Sequence, residues 1–400
     1  MLSKTTITSS LAWLADVEKF LKSSGAGKEM LGQWQGRFSG YSSGQLTIEI
    51  DENHGFYSGR ICVFEDNNPI GVFAANFRTD DKQPVQKLKI HVGIQRHGSA
   101  NEIPSQELAQ LAPNVTFPDT AHVEIVLRRR DLRVTATTFV QQQPIGKLSA
   151  VLTKGSAEKP SRLKTNRKIN TWDKFKTMVG QLEPDRYVFR GQSVGFRLRT
   201  SFHRTNRRDL FRFVSIDVPQ LHATVTSKTN HYFDFRDDKQ YAAFCNLLQH
   251  HGYPTPLLDW THSPYVAAFF AYRERFSGDP KRKVRIFKFD SQAWHKDYRQ
   301  IYSLVNVYPH FSFMNPVALE NPRALPQQAL CSITSVDDVE SYLETAGVQA
   351  GKSYLEVFEL PYNDRVSVLT ELRLMGVAAG SLFPGIDGAC EELKFKNFVF

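Results

Sequence analysis

One stretch of this 400-residue chain gathers side chains that do chemistry at close spacing: Gln249-His250-His251-Gly252-Tyr253-Pro254-Thr255-Pro256-Leu257-Leu258-Asp259-Trp260-Thr261-His262-Ser263-Pro264. It reads as a helix that stops at Gly252, a turn, a short strand, and a new helix with Pro264 in its first turn. Thr261 and Ser263 then stand where free backbone N–H groups and the positive end of a helix dipole favour a phosphate or carboxylate. Ser263 also has the simpler role of an N-cap. His250, at a helix C-terminus, either offsets the dipole or orients a hydroxyl and acts as a base. A second stretch, Tyr187-Val188-Phe189-Arg190-Gly191-Gln192, puts an arginine directly after an apolar strand. Its guanidinium offers a rigid fork of donors, and Gly191 lets a ligand approach the backbone; the plainer role of Arg190 is to pair with a carboxylate. A third, Asn321-Pro322-Arg323-Ala324-Leu325-Pro326-Gln327-Gln328-Ala329-Leu330-Cys331, sets two amides before an apolar strand, where their plain role is to satisfy a loop backbone.

The elements around these stretches fall into two regimes. Leu11, Leu14, Val17 and Leu21 recur at helical spacing, so residues 1–28 are expected to form a helix ended by Gly25 and Gly27. Over 29–153 the period is two: Leu46, Ile48 and Ile50 alternate with polar residues, as do Leu88, Ile90, Val92 and Ile94. Further strand-like runs at 57–64, 69–77, 122–128, 132–140 and 146–153 are separated by turn residues such as Asp66-Asn67-Asn68 and Gln143-Pro144. About eight strands with little helix between them imply an all-β barrel or sandwich. Its interior is either packed with side chains or holds one small ligand. The opening Trp34-Gln35-Gly36 is similar to the W-x-G start of lipocalin-like barrels. Residues 154–169 are small, polar, basic and proline-punctuated, as in a tether. Beyond 170 helices and strands mix, with helices expected at 239–251, 264–274 and 364–375 and strands at 284–289 and 354–359. The fold class is α+β.

Composition limits the function classes. Lys+Arg number 50 against 41 Asp+Glu, a net charge of +9 compatible with an anionic partner but spread thinly. An arginine-rich stretch (Arg197, Arg199, Arg204, Arg207, Arg208 and Arg212) is suited to steering a dinucleotide or a nucleic-acid phosphate, or else to a salt-bridged face. The four cysteines form no C-x-x-C pair, and adjacent His250 and His251 point about 100° apart on a helix, so no metal site is expected. No G-x-S-x-G elbow is present. The lack of an 18-residue apolar run or a signal-peptide core predicts a soluble, cytoplasmic protein with reduced, buried thiols.

Together, Phe189-Arg190-Gly191 and Gln249 to Thr261 resemble the FRG domain family, named for its Phe-Arg-Gly triplet, whose central motif is similar to Q-H-Y-G-x-P-T-x-L-L-D-W-T. His251 stands where tyrosine is usual. In the late A-Q-x-G-x-F element only Gln327 matches, with Pro326, Ala329 and Cys331 in place of the other three residues. Leu372-Arg373-Leu374-Met375-Gly376 and Leu382-Phe383-Pro384-Gly385-Ile386-Asp387-Gly388 resemble the family's close, so the likeness runs over about residues 170–395, within a domain expected over 170–400. FRG domains are similar to ADP-ribosyltransferases and occur among bacterial toxins and phage-defence proteins. The resemblance implies an ADP-ribosyltransferase-like fold and an NAD-consuming enzyme with the β-domain as sensor or specificity module. The alternative is a non-catalytic nucleotide- or nucleic-acid-binding module. On the first reading His250, Asp259 and Gln327 are catalytic, while Arg190, Gly191, Gln192, Tyr253, Thr261 and Ser263 hold NAD. NAD is the substrate, no metal is needed, and the acceptor is protein, nucleic acid or water. Loss of nicotinamide through an oxocarbenium-like transition state calls for a carboxylate, which Gln327 does not supply; Asp259 or Glu356 must then serve.

Overall fold

The computed structural model describes residues 29–97, 101–205, 207–276, 279 and 281–398. The helix expected over 1–28 lies outside them. The chain divides into two compact units, one ending at Lys154 and the other running from Gly155, with residues 95–102 assigned to the second.

The first unit is a single nine-stranded sheet: β1 (Gly32–Gly40), β2 (Gly44–Asn53), β3 (Phe56–Glu65), β4 (Gly71–Arg78), β5 (Val85–His91), β6 (Gly93–Arg96), β7 (Thr120–Leu127), β8 (Asp131–Val140) and β9 (Gln143–Lys154). The order is β5-β7-β8-β9-β1-β2-β3-β4-β6. β5 and β6 are separated by Val92 alone, so one stretch of chain pairs with β7 through its first half and with β4 through its second. The sheet thereby becomes a nearly closed barrel rather than a sandwich. One helix, α1 (Ser105–Leu111), lies between β6 and β7.

Alternation explains the interior. Leu46, Ile48 and Ile50 of β2 are buried with Ile61, Leu88, Ile90, Val123, Ile125, Val134, Leu148 and Leu152 in one apolar cluster. Trp34 joins them and donates from Nε1 to the carbonyl of Met30 (2.7 Å), so its one polar atom is satisfied. The interior retains a cavity of about 50 Å³, far below the 300–1,000 Å³ of ordinary ligand sites, so the barrel is packed with side chains. The β8–β9 turn falls at Gln141 and Gln142, both with positive φ (46° and 69°), and not at the expected Gln143-Pro144, which opens β9. A two-residue hairpin loop of this kind needs positive φ at both positions, and neither glutamine signals it.

The second unit is built on a six-stranded sheet of β10 (Tyr187–Gln192), β11 (Leu257–Thr261), β12 (Lys283–Asp290), β13 (Phe311–Met314), β14 (Ala329–Thr334) and β15 (Leu355–Pro361). Its order is β13-β14-β11-β10-β12-β15, antiparallel throughout. Its helices include α2 (Trp172–Val179), α3 (Asp238–His250), α4 (Pro264–Arg273), α5 (Val339–Ala350), α6 (Arg365–Leu374) and α7 (Ile386–Asn397). α4 and α6 pack with Phe189, Ile286 and Phe358, while α3 packs with Leu257, Cys331 and Ile333. Residues 155–170 are anchored to this unit: the Ser156 N–H donates to Asp338, Thr165 bridges Val357, and Asn166 donates to Glu356.

Four of the six arginines in the arginine-rich stretch are held in ion pairs, as a salt-bridged face requires, while Arg204 is exposed. Arg197 pairs with Asp338 (2.5 Å), Arg199 and Arg208 share Asp337 (2.5 and 2.8 Å), and Arg207 pairs with Asp217. Arg197 and Arg208 are buried, and so is Phe202. His203 is buried beside this centre, and burial pushes its imidazole down to about 3 against the pull of Asp337. Burial likewise pushes His310 down to about 4. Of the thiols, Cys62, Cys245 and Cys331 are buried, but Cys390 on α7 is exposed, contrary to the expectation that all four are buried. Among the described residues no helix is long and apolar enough to cross a membrane, and no cluster of three His, Cys, Asp or Glu side chains is arranged to hold a metal ion.

Removing the Asp337 carboxylate takes the nearest partner from buried Arg208 and half-buried Arg199 and leaves them Glu158, at 3.8 and 3.7 Å, so Asp337→Ala is expected to cost about 3 kcal/mol in urea unfolding. The two depressed histidines set a pH dependence of definite sign. Between the ordinary histidine value and their folded values the unfolded chain binds more protons, so stability is lost as pH falls from about 6.5 towards 4. The slope is at most about 1.4 kcal/mol per pH unit for each histidine. His203→Gln should flatten that loss in urea titrations across this range.

Candidate functional site

The sheet of the second unit is weakest at its middle. β10 pairs with β12 over six residues and β11 with β14 over five, but β10 meets β11 at the single pair Phe189–Thr261. Past this point the two strands part, and Arg190 occupies the gap. Its Nη1 donates to the carbonyl of Asp259 (2.7 Å), while its Nε is buried with no hydrogen-bond partner. Burial pushes the guanidinium down to about 10; Asp259 opposes the shift and Arg204 adds to it. Arg204, exposed overall, feels the same carboxylate, with desolvation of its head group lowering it first.

Asp259 is held by α3. Gln249 donates from Nε2 to Asp259 Oδ1, and Thr255 donates from Oγ1 to Gln249 Oε1. The Thr255 backbone exchanges two bonds with the Ser201 hydroxyl (3.0 and 3.1 Å). Arg190, Asp259, Gln249, Thr255 and Ser201 therefore form one connected polar chain, with Arg204 acting on it through charge.

The remaining expected residues belong elsewhere. His250, one step of about 100° round α3 from Gln249, donates from Nδ1 to Asn321 Oδ1 (2.9 Å). Asn321 in turn donates to buried Asn246 (2.6 Å). Thr261 donates to the Gln327 carbonyl (2.7 Å) and accepts from the Ser263 N–H (3.0 Å), and Ser263 caps α4 through the Val266 N–H (3.2 Å). Buried Gln327 spends its side-chain amide on the Leu382 carbonyl (3.0 Å). Gln192 donates to the Val194 and Phe196 carbonyls in its own loop, and Tyr253 lies beside the Arg207–Asp217 pair. Glu356 is tied to Lys288 (2.6 Å) and Asn166 (2.7 Å).

Gly191 has a different reason from the one expected. A Cβ there would stand 1.8 Å from the Ala267 carbonyl oxygen and 2.6 Å from the Ala271 nitrogen, so the glycine admits α4, not a ligand. The residues that sequence reasoning passed over are Gln249, the first letter of the motif, and Arg204, hidden among arginines that serve as ion-pair partners. It also left His262 and His295 without a role. They line a cavity of about 490 Å³ at the other end of the strands, whose lining includes none of the expected site residues.

The family model of the FRG domain matches residues 185–279, a span that contains Arg190, Gln249, His250 and Asp259 and excludes Gln327. No curated protein matches the chain. Within that span, Gly191→Ala is expected to destabilise the second unit by about 3 kcal/mol, the upper end for overpacking, because the obstructing atoms are helix backbone. Urea unfolding of the purified variant measures it.

Proposed function

We propose that the FRG domain of this chain binds an anionic nucleotide at Arg190, with NAD as the candidate ligand. The observation that carries this reading is the Arg190 guanidinium, set in the gap between β10 and β11 with its Nε unpartnered. A half-buried arginine with spare donors suits a pyrophosphate, which two N–H groups grip together. Arg204 adds a second positive charge, and Asp259 keeps the site from being uniformly basic. The other arginines of the neighbourhood already have carboxylate partners and make no such offer.

A second reading, NAD consumption of the ADP-ribosyltransferase kind, is favoured by Asp259 alone. Gln249 fixes one of its carboxylate oxygens and leaves the other to face a developing oxocarbenium ion. Gln327 and Glu356 are both committed to structural partners and do not fill that role. On this reading protein, nucleic acid or water is the acceptor and the chain is a toxin-like or phage-defence effector. A sensor role for the barrel would then run through its outer surface, since its interior is filled.

Calorimetry with NAD tests the first reading. Arg190→Ala should weaken binding at least tenfold, about 1.4 kcal/mol, and unchanged affinity would overturn it. Nicotinamide release, measured with host lysate and nucleic acid added as a source of acceptor, separates the second. Release by the wild type that Asp259→Asn abolishes, with NAD affinity kept within about threefold, makes the domain an enzyme. Binding with no release leaves it a nucleotide-binding module.

A further inference from the structure

We infer that the second unit carries another ligand site, separate from Arg190, that takes a neutral nucleobase or nucleoside bearing an exocyclic amine. A cavity of about 490 Å³ lies at the end of the sheet where β11 runs out into His262, β13 runs out into Asn315, and β10 is entered from Asp185. That volume falls in the range of small-molecule sites. It stands on strand ends and on the start of a short helix at Ser291, so its walls are fixed by the sheet itself.

The chemistry of the walls selects the ligand. Phe313, Met314 and Leu330 are buried and form an apolar floor. The His295 ring stacks on Phe313 (centroids 5.9 Å, planes 26° apart), which gives a planar ligand an aromatic surface to extend. Charge argues against a phosphate. Asp185 and Asp238 share the lining with one lysine, Lys239, and no arginine lines the cavity.

The acceptors argue for an amine. His295 Nδ1 lies 2.6 Å from the Ser291 carbonyl, which can only accept, so Nδ1 carries a proton and the tautomer with its single proton there offers Nε2 as an acceptor. With two carboxylates this is an acceptor-rich rim, complementary to N–H donors. Gln292 and Asn315 add two exposed carboxamides, each holding a donor and an acceptor side by side as the edge of an aminated base does. The same features that disfavour the phosphates of a nucleotide favour its base.

This assignment does not rest on nucleotide binding at Arg190, and one experiment tells the two apart. The full chain is titrated calorimetrically with adenosine, cytidine and uridine, the last lacking the exocyclic amine. Adenosine or cytidine should bind at sub-millimolar concentration and uridine at least fivefold more weakly. The double variant Gln292→Ala/Asn315→Ala, which alters two exposed side chains, should lose at least tenfold in affinity with its thermal unfolding unchanged, and Arg190→Ala should bind the nucleosides as the wild type does. Absence of binding, equal affinity for uridine, affinity that survives the double variant, or loss of binding in Arg190→Ala would each overturn it. Any of these results leaves the NAD titration to be judged on its own.

Discussion

The approach of α4 to β10 at residue 191 is the constraint on which the second unit turns. β10 and β11 share one residue pair, so backbone hydrogen bonds alone do not hold the two halves of the sheet together. α4 begins three residues after β11 ends and lies on β10 so closely that a methyl group at 191 would overlap the Ala267 carbonyl. The helix thereby ties to β10 the strand it grows from. Because that contact holds the halves together, the strands are free to part beyond Phe189 and Thr261 and to admit a guanidinium. Thr261 and Ser263 serve the same joint: one accepts from the turn's N–H and the other caps the helix.

Charge is used mainly inside the fold. Arg197, Arg199 and Arg208 reach the carboxylates of Asp337 and Asp338, and in doing so fasten a long irregular segment to the loop after β14. Such buried pairs add little net stability over apolar packing, but they penalise any arrangement that separates them. Their effect is therefore felt in register and orientation. Arg190 differs from them in kind. Its one hydrogen bond is to a backbone carbonyl, and the carboxylate that feels its charge is held by an amide.

Much of this was legible in the sequence, and the failures have a common cause. Alternation in Leu46, Ile48 and Ile50 revealed strands with one buried face, and the caps around Ser263 and Gly252 revealed helix ends, because both are local patterns. Closure of the barrel was not legible, since it depends on residues 85–96 pairing with strands on either side of them in the sequence. The family motif located Arg190 and Asp259, but residue type alone does not say where an amide's hydrogen bond goes. Gln327 and Gln249 are the same side chain, yet one is spent on Leu382, 55 residues away, and the other orients a carboxylate. Likewise Arg197 and Arg190 differ only in whether a distant acid reaches them.

The doubly paired stretch formed by β5 and β6 has a consequence for how the first unit behaves among its own copies. An open nine-stranded sheet would present two rows of unsatisfied backbone groups, each a template for another chain's strand. By giving its first half to β7 and its second to β4, this one stretch makes β7 an interior strand over nearly its whole length and covers up to half of β4. What remains unpaired on the stretch is short, and Lys87, Lys89 and His91 stand exposed beside it. Resistance to strand-by-strand self-association is thus concentrated in about a dozen residues. A cut or deletion there would undo it for the whole barrel while leaving the other strand pairs in place.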